Sequence, residues 1–262
     1  MSRRHLEFDC AGDTLVGTLD EASGGTGLLI VTGGNETRAG AFSGQAALAA
    51  RIAAAGPPVF RFDRRGCGDS EGENRGFRHS AEDIAAALAA FRAACPELQC
   101  VVGFGNCDAA SALMLAGGAG FDGLVLSNPW TYDDDEADDA APPPEAIRSR
   151  YIEKLKNPRE VWRLLTGGVN LRKLASGLRS AAGSAPMSSG LAGDMELGLA
   201  GFAGPVRFLV AERDRTGQAF LAAWDKADGR IARCPGADHA YSDQASQAWL
   251  LQQLLGSLEV SS

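Results

Sequence analysis

Residues 103–109 read GFGNCDA. Ahead of them, Cys100-Val101-Val102 is too short for a helix and rich in β-branched residues. Behind them, Ala109-Ala110-Ser111-Ala112-Leu113-Met114-Leu115-Ala116 is strong helix-forming sequence. A strand therefore turns sharply into a helix, with Cys107 in the turn. Turns of the form G-x-S-x-G present a serine nucleophile in this way. They need small residues two positions either side, because the backbone there is pressed against the neighbouring strand and helix. Gly105 and Ala109 hold those small positions and Cys107 replaces the serine. Its sulfur stands at a helix N-terminus, where the positive dipole end favours a thiolate. The competing reading is a small buried hydrophobe, the usual role of a free cysteine.

Strand-like runs recur on both sides of this turn. HLEFDC (5–10) and TLVGTLD (14–20), separated by Ala11-Gly12-Asp13, form an opening antiparallel hairpin. GLLIVT (27–32), PVFRFD (58–63), CVVGFG (100–105), GLVLSN (123–128), VRFLVA (206–211) and the shorter GRIARC (229–234) follow. Helical stretches at 45–55, 80–94, 109–116 and 242–255 separate or follow them. Strands alternating with helices imply right-handed crossovers and parallel pairing. The expected fold class is α/β: a mostly parallel sheet of about eight strands with helices on both faces.

Between Trp130 and Gly204 the alternation stops. An acidic run (133–139) leads to Pro142-Pro143-Pro144, then to a basic, helix-like segment with Tyr151, Leu155, Val161, Trp162, Leu164 and Leu165 as its apolar residues. SGLRSAAGSAPMSSGLAG (176–193) returns the chain to the last strands. The chain reads as one domain, 1–262, with 130–204 inserted over the sheet edge as a lid or small cap. The acidic run by itself reads as a solvated loop.

A hydrophobic content of 45% is enough for a core, and a net charge of −8 argues against nucleic acid or an anionic membrane as partner. No apolar stretch approaches the ~18 residues of a membrane span. MSRRHLEFDCAGDTL has no apolar run behind its arginines and is not a signal peptide. The six cysteines (10, 67, 95, 100, 107, 234) form no C-x-x-C pair. With the three histidines they make no zinc-like spacing, so neither metal nor cofactor is expected. Reduced thiols suit a cytoplasmic protein. Whether the chain pairs into a homodimer stays open.

A nucleophilic cysteine needs a base. His5 lies in the first strand and His79 in a polar loop before a helix. His239, in CPGADHAYSD, lies between the last strand and the final helix and is the candidate. Its alternative role is a loop histidine bonding backbone. Asp214, in the turn AERDRTG after a strand, is the carboxylate expected to hold it. Asp238 and Glu212 are rivals, but Asp238 adjoins the histidine, and neighbouring loop side chains usually diverge. The chain order is then nucleophile Cys107, acid Asp214, base His239. An oxyanion would be met by the backbone N–H of Asp108 and by one from Val31-Thr32-Gly33-Gly34-Asn35. Asn35 is the choice there, with Gly34 second. The alternative is that Gly33-Gly34 only ends a strand. FDRRGCGDSEG (62–72) reads as architecture supporting the site; its glycines fail the G-x-G-x-x-G spacing.

Taken together, VTGGNETRAGAF, VFRFDRRGCGDSEG, GFGNCDAAS, VLSNPW and AERDRTGQAF resemble the exosortase A system-associated hydrolases, a branch of the α/β hydrolases. The likeness runs from about residue 5 to residue 255. R-x-D-x-R-G-x-G-x-S-x-G is widespread among α/β hydrolases. GG-x-x-x-R, the cysteine turn followed by Asp-Ala-Ala, and Asn-Pro-Trp are more specific. The resemblance implies the α/β-hydrolase fold, a nucleophile position at Cys107, and a genomic association with exopolysaccharide production and protein sorting in bacteria. The leading expectation is a hydrolase of an ester, thioester or lactone acting through Cys107, on a small-molecule or carrier-linked acyl substrate. The alternatives are an acyltransferase passing the same acyl group to an alcohol, amine or polysaccharide hydroxyl, and a binding protein on a hydrolase scaffold.

Overall fold

The computed structural model describes residues 2–132 and 190–260. The strands are β1 (Arg3–Cys10), β2 (Asp13–Asp20), β3 (Thr26–Val31), β4 (Val59–Phe62), β5 (Cys100–Asn106), β6 (Gly123–Ser127), β7 (Val206–Ala211) and β8 (Ile231–Cys234). They form one eight-stranded sheet in the order β1-β2-β4-β3-β5-β6-β7-β8. β2 pairs antiparallel with both neighbours, and every other pairing is parallel. The opening hairpin turns on Ala11 and Gly12, with φ of 55° and 95°. Such a left-handed pair matches the twist of the two strands it joins.

The mostly parallel sheet expected from the sequence is therefore present, and its alternation explains the layers. Leu28 and Ile30 face one side, with Ala49 and Ile52 of α1 (Gly44–Ala54). Leu29 and Val31 face the other, with Ile84, Leu88 and Phe91 of α2 (Ala81–Ala94). Leu113 and Met114 of α3 (Asp108–Leu115) join that second face. β3 is buried along its whole length, which is why its sequence is a continuous apolar run rather than an alternation. Removing side chains such as Leu29 or Phe91 from water stabilises the layers by roughly 1.5–3 kcal/mol each.

Three helices complete the described part: α4 (Leu191–Leu199), α5 (Arg215–Ala223) and α6 (Gln244–Val260). α6 packs with α1, contributing Leu250, Leu254 and Leu258. α4 and α5 were not among the helices read from the sequence. A Cβ at Gly198 of α4 would stand 2.2 Å from the Met114 carbonyl, so the glycine lets α4 lie directly on the end of α3. Residues 191–199, which fall within the expected 130–204 insertion, form α4 and place Leu191, Met195 and Leu199 in the core. The acidic run, the proline triplet and the basic segment of the expected lid lie outside the described residues. No described helix is long and apolar enough to cross a membrane.

Candidate active site

The junction of β5 and α3 sits mid-sheet, at the strands' carboxyl edge, where open α/β sheets bind ligands. Cys107 occupies it with φ 63° and ψ −128°, a conformation costing a non-glycine residue ~1–3 kcal/mol. Neighbouring backbone holds it there. Its N–H donates to the Ser127 carbonyl at 2.9 Å, and its carbonyl accepts from Ala110 at 3.1 Å and Trp130 at 3.3 Å. A Cβ at Gly105 would stand 2.6 Å from the Ala109 carbonyl carbon, which accounts for the glycine two positions before the turn. Cys107 itself is partly exposed.

His239 approaches from the loop between β8 and α6. Its Nδ1 lies 2.9 Å from Oδ2 of Asp214. The ring is also close enough to Cys107 for the cysteine to favour its protonated form. The Asp214 bond, and after it the nearby Cys107, pushes the His239 pKa from 6.5 up to about 10. Asp214 is buried because it also serves as the N-cap of α5, accepting the N–H groups of Thr216 at 3.2 Å and Gly217 at 3.1 Å. That capping holds the carboxylate in one orientation before it meets the imidazole.

Neither rival carboxylate makes a hydrogen bond to His239 among the described residues. Asp238 accepts both the Ser242 hydroxyl and its N–H, which holds its carboxyl below the usual range. Glu212 is exposed, and its carbonyl accepts from Gln218 at 2.7 Å. His5 bonds Thr18 in the opening hairpin, and His79 lies in a short 3-10 turn ahead of α2.

The loop after β3 has been shaped by charge. Gly34 N–H donates to both oxygens of the Asp108 carboxylate, at 2.9 and 2.8 Å. A Cβ at Gly33 would stand 2.3 Å from that carboxylate. Buried Arg64 donates to the Gly34 carbonyl at 2.6 Å and lies 3.7 Å from Asp108. Arg38, the arginine of GG-x-x-x-R, is ion-paired to Asp63, the aspartate of R-x-D-x-R-G. The two motifs thus join across space and brace the loop beside Cys107. Asn74 adds an amide bond to the Asn35 side chain at 2.7 Å. The backbone N–H groups of Asn35 and Asp108 have no partner among the described residues. The Gly34 N–H, the second candidate donor, is turned onto Asp108 instead.

Three residues near the site were given no role from the sequence, although Asn128 is the asparagine of the Asn-Pro-Trp motif. Asn106 lies beside His239, its Nδ2 3.2 Å from the His239 carbonyl and 3.5 Å from Nε2. Asn128 is fully buried and donates to Asn106 at 3.0 Å. Tyr132, whose pKa burial raises, is close enough to feel the charges of Asp214 and Cys107. The available signal was the polar ending of two apolar strands, Asn106 on β5 and Ser127-Asn128 on β6. A cavity of about 190 Å³ opens beside His239 and Asn106, with Leu48, Phe104 and Leu250 among its walls. Among the described residues no cluster of His, Cys, Asp and Glu could hold a metal ion.

The family model described as the alpha/beta hydrolase family matches residues 28–250. No curated protein sequence matches significantly. Among solved structures, the alpha/beta hydrolase GrgF from Penicillium sp. sh18 is 16% identical. The match covers 100% of this chain and 99% of that one, with a TM-score of 0.65. The Pyrococcus furiosus esterase Pf2001 is 14% identical over 98% of this chain and 92% of its own (TM-score 0.61). The thioesterase domain from the curacin biosynthetic pathway is 13% identical over 98% and 100% (TM-score 0.57). At such identities the likeness is one of fold.

Proposed function

The chain belongs to the α/β-hydrolase family, and from that premise we propose that it hydrolyses an ester, thioester or lactone through an acyl group held on Cys107. The observation that carries this reading is the imidazole of His239, bonded at Nδ1 to buried Asp214 and close enough to Cys107 to be influenced by it.

Asp214 takes the Nδ1–H of His239 and favours the protonated ring, so that Nε2 holds the proton given up by Cys107 and the sulfur is presented as a thiolate. As Sγ attacks the acyl carbon, that proton stays on Nε2 and the carbonyl oxygen becomes an oxyanion. The N–H groups of Asp108 and Asn35 receive it. Collapse expels the leaving group, which takes the proton back from His239, and a thioester remains. His239 then draws a proton from water as the water attacks. Collapse of the second intermediate returns the thiol and releases the acid.

Within the family, GG-x-x-x-R, the cysteine turn and Asn-Pro-Trp support kinship with the exosortase A system-associated hydrolases. A catalytic thiol suits the reducing cytoplasm, where we place the protein.

The test is intact and peptide mass spectrometry after incubation with p-nitrophenyl butyrate, with added alcohol or amine in a parallel sample. A butyryl adduct on Cys107 that decays to free acid supports hydrolysis. Decay to the alcohol ester or amide makes the protein an acyltransferase. No nitrophenol release, or an adduct on Cys67 or Cys100 only, overturns the reading.

A further inference from the structure

The amide side chains of Asn128 and Asn106 form a hydrogen-bonded series whose direction is set by a group that cannot turn round. The backbone N–H of Ala211, at the end of β7, donates to Asn128 Oδ1 at 2.8 Å. Asn128 Nδ2 must then be a donor, and it meets Asn106 Oδ1 at 3.0 Å and Ser127 Oγ at 3.3 Å. That leaves Asn106 Nδ2 as a donor too, facing the His239 carbonyl at 3.2 Å and the ring Nε2 at 3.5 Å. Asn amides are often ambiguous in orientation, but here a main-chain donor settles the first and the first settles the second.

The series is held tightly. Asn128 is fully buried and lies in the left-handed region at φ 43°. A Cβ at Gly217 would come within 2.6 Å of Asn128 Oδ1, so a glycine in α5 makes its room. A second tie reaches the same loop: Ser127 Oγ lies 2.9 Å from the hydroxyl of Tyr241, whose pKa burial raises to about 12. The histidine loop is thus pinned at two places by residues at the ends of β5 and β6.

We propose that Asn128 and Asn106 act in series as positioning residues for His239. They fix its loop through the carbonyl and present an amide N–H to Nε2 that disfavours the protonated ring. The catalytic consequence rests on the reading of His239 as base; the effect on the ring does not. An N–H aimed at Nε2 is favourable while that nitrogen carries a lone pair and unfavourable once it carries a proton. It therefore opposes the two partners that favour imidazolium, Asp214 from the head of α5 and Cys107 from the turn. The other charged or titratable groups around the ring are Glu36 and Arg51 across the cavity, Asp238 and Tyr241 on the same loop, and Tyr132 beyond Asp214 and Cys107. Of the groups named here, Asn106 is the one whose side chain brings a fixed donor to Nε2.

The test follows the His239 ring by NMR titration of the full chain, assigned with His239→Gln, in wild type, Asn106→Ala, Asn106→Asp and Asn128→Asp. Asn106→Asp replaces the donor with an anion and should raise the ring midpoint by about one pH unit or more. Asn106→Ala should raise it less. Asn128→Asp never touches the ring, but its second oxygen demands a donor from Asn106. That amide then turns its oxygen toward His239 and raises the midpoint as well. Midpoints within about 0.2 unit of wild type in both Asn106 variants overturn the proposal, since a shift that small is negligible beside the expected effect. Asn106 variants alone decide the matter if Asn128→Asp does not fold. With p-nitrophenyl butyrate, Asn106→Ala should lower kcat about tenfold with little change in KM, as expected when positioning is lost without loss of binding. The titration needs no substrate, so absence of ester turnover would fault the hydrolase reading and leave the series to be judged on the ring.

Discussion

His239 Nδ1 lies 2.9 Å from Oδ2 of Asp214, and that same oxygen accepts the Gly217 N–H at the head of α5. One carboxylate therefore orients the imidazole and caps a helix, and substitutions can separate the two. Asparagine is as good an N-cap as aspartate but cannot stabilise an imidazolium. Asp214→Asn should keep the helix cap and lose only the stability that protonated His239 draws from the carboxylate, while lowering kcat by roughly 10³–10⁴, the scale seen when the acid of a nucleophile–base–acid set becomes an amide. Asp214→Ala should show the same activity loss and about 1 kcal/mol less stability by urea denaturation. Equal stability in the two variants would contradict the capping argument.

Cys107 should be distinguishable from the other thiols. Burial pushes Cys10 and Cys95 up to about 11, and raises Cys67 and Cys234 as well. Iodoacetamide at pH 7 should therefore label Cys107 ahead of these four, with loss of turnover in step, as peptide mass spectrometry would read. Turnover that persists while Cys107 is fully alkylated removes its catalytic role.

Cys107→Ser should fold normally and lose about 10²-fold or more in kcat/KM. The hydroxyl must be deprotonated during attack, in a site spaced for a larger atom. Cys107→Ala should form no acyl adduct at all.

The raised His239 pKa also carries a sign for stability. Its folded value, about 10, exceeds the ordinary 6.5, so protonated His239 stabilises the fold fully below pH 6.5. That contribution fades as pH rises through about 10. The side chain is 45% exposed, so solvent screens part of it. The difference in melting temperature between wild type and His239→Gln should shrink steadily between those two pH values. A constant difference across that window would contradict the assignment.

Gly105→Ala tests the turn itself. Its methyl would meet α3 backbone at 2.6 Å, and backbone cannot step aside as a flexible side chain can. The variant should lose about 3 kcal/mol by denaturant unfolding. It should also lose turnover, because the Cys107 backbone would have to move.

What the sequence settled by itself were features with short-range causes. Alternating and continuous apolar runs placed the strands, because a side chain's face depends on its neighbours one or two positions away. Gly105, Cys107 and Ala109 announced a tight strand-to-helix turn for the same reason. Ala11-Gly12 announced the hairpin. Helix α5 was harder to read, since its start is an aspartate cap and its interior holds a glycine whose purpose is to clear Asn128. Only the tertiary structure decided which charged and polar groups meet. Asn106 and His239 are 133 residues apart, and Gly34 and Asp108 are 74 apart. Asp108 could be assigned a backbone role from its place after Cys107, but not a side chain that captures the Gly34 N–H. Hydrogen bonds act over about 3 Å and leave no periodic trace along the chain. Their partners are chosen by the strand order that brings β3, β5, β6 and β7 side by side, a property of the whole sheet rather than of any one segment.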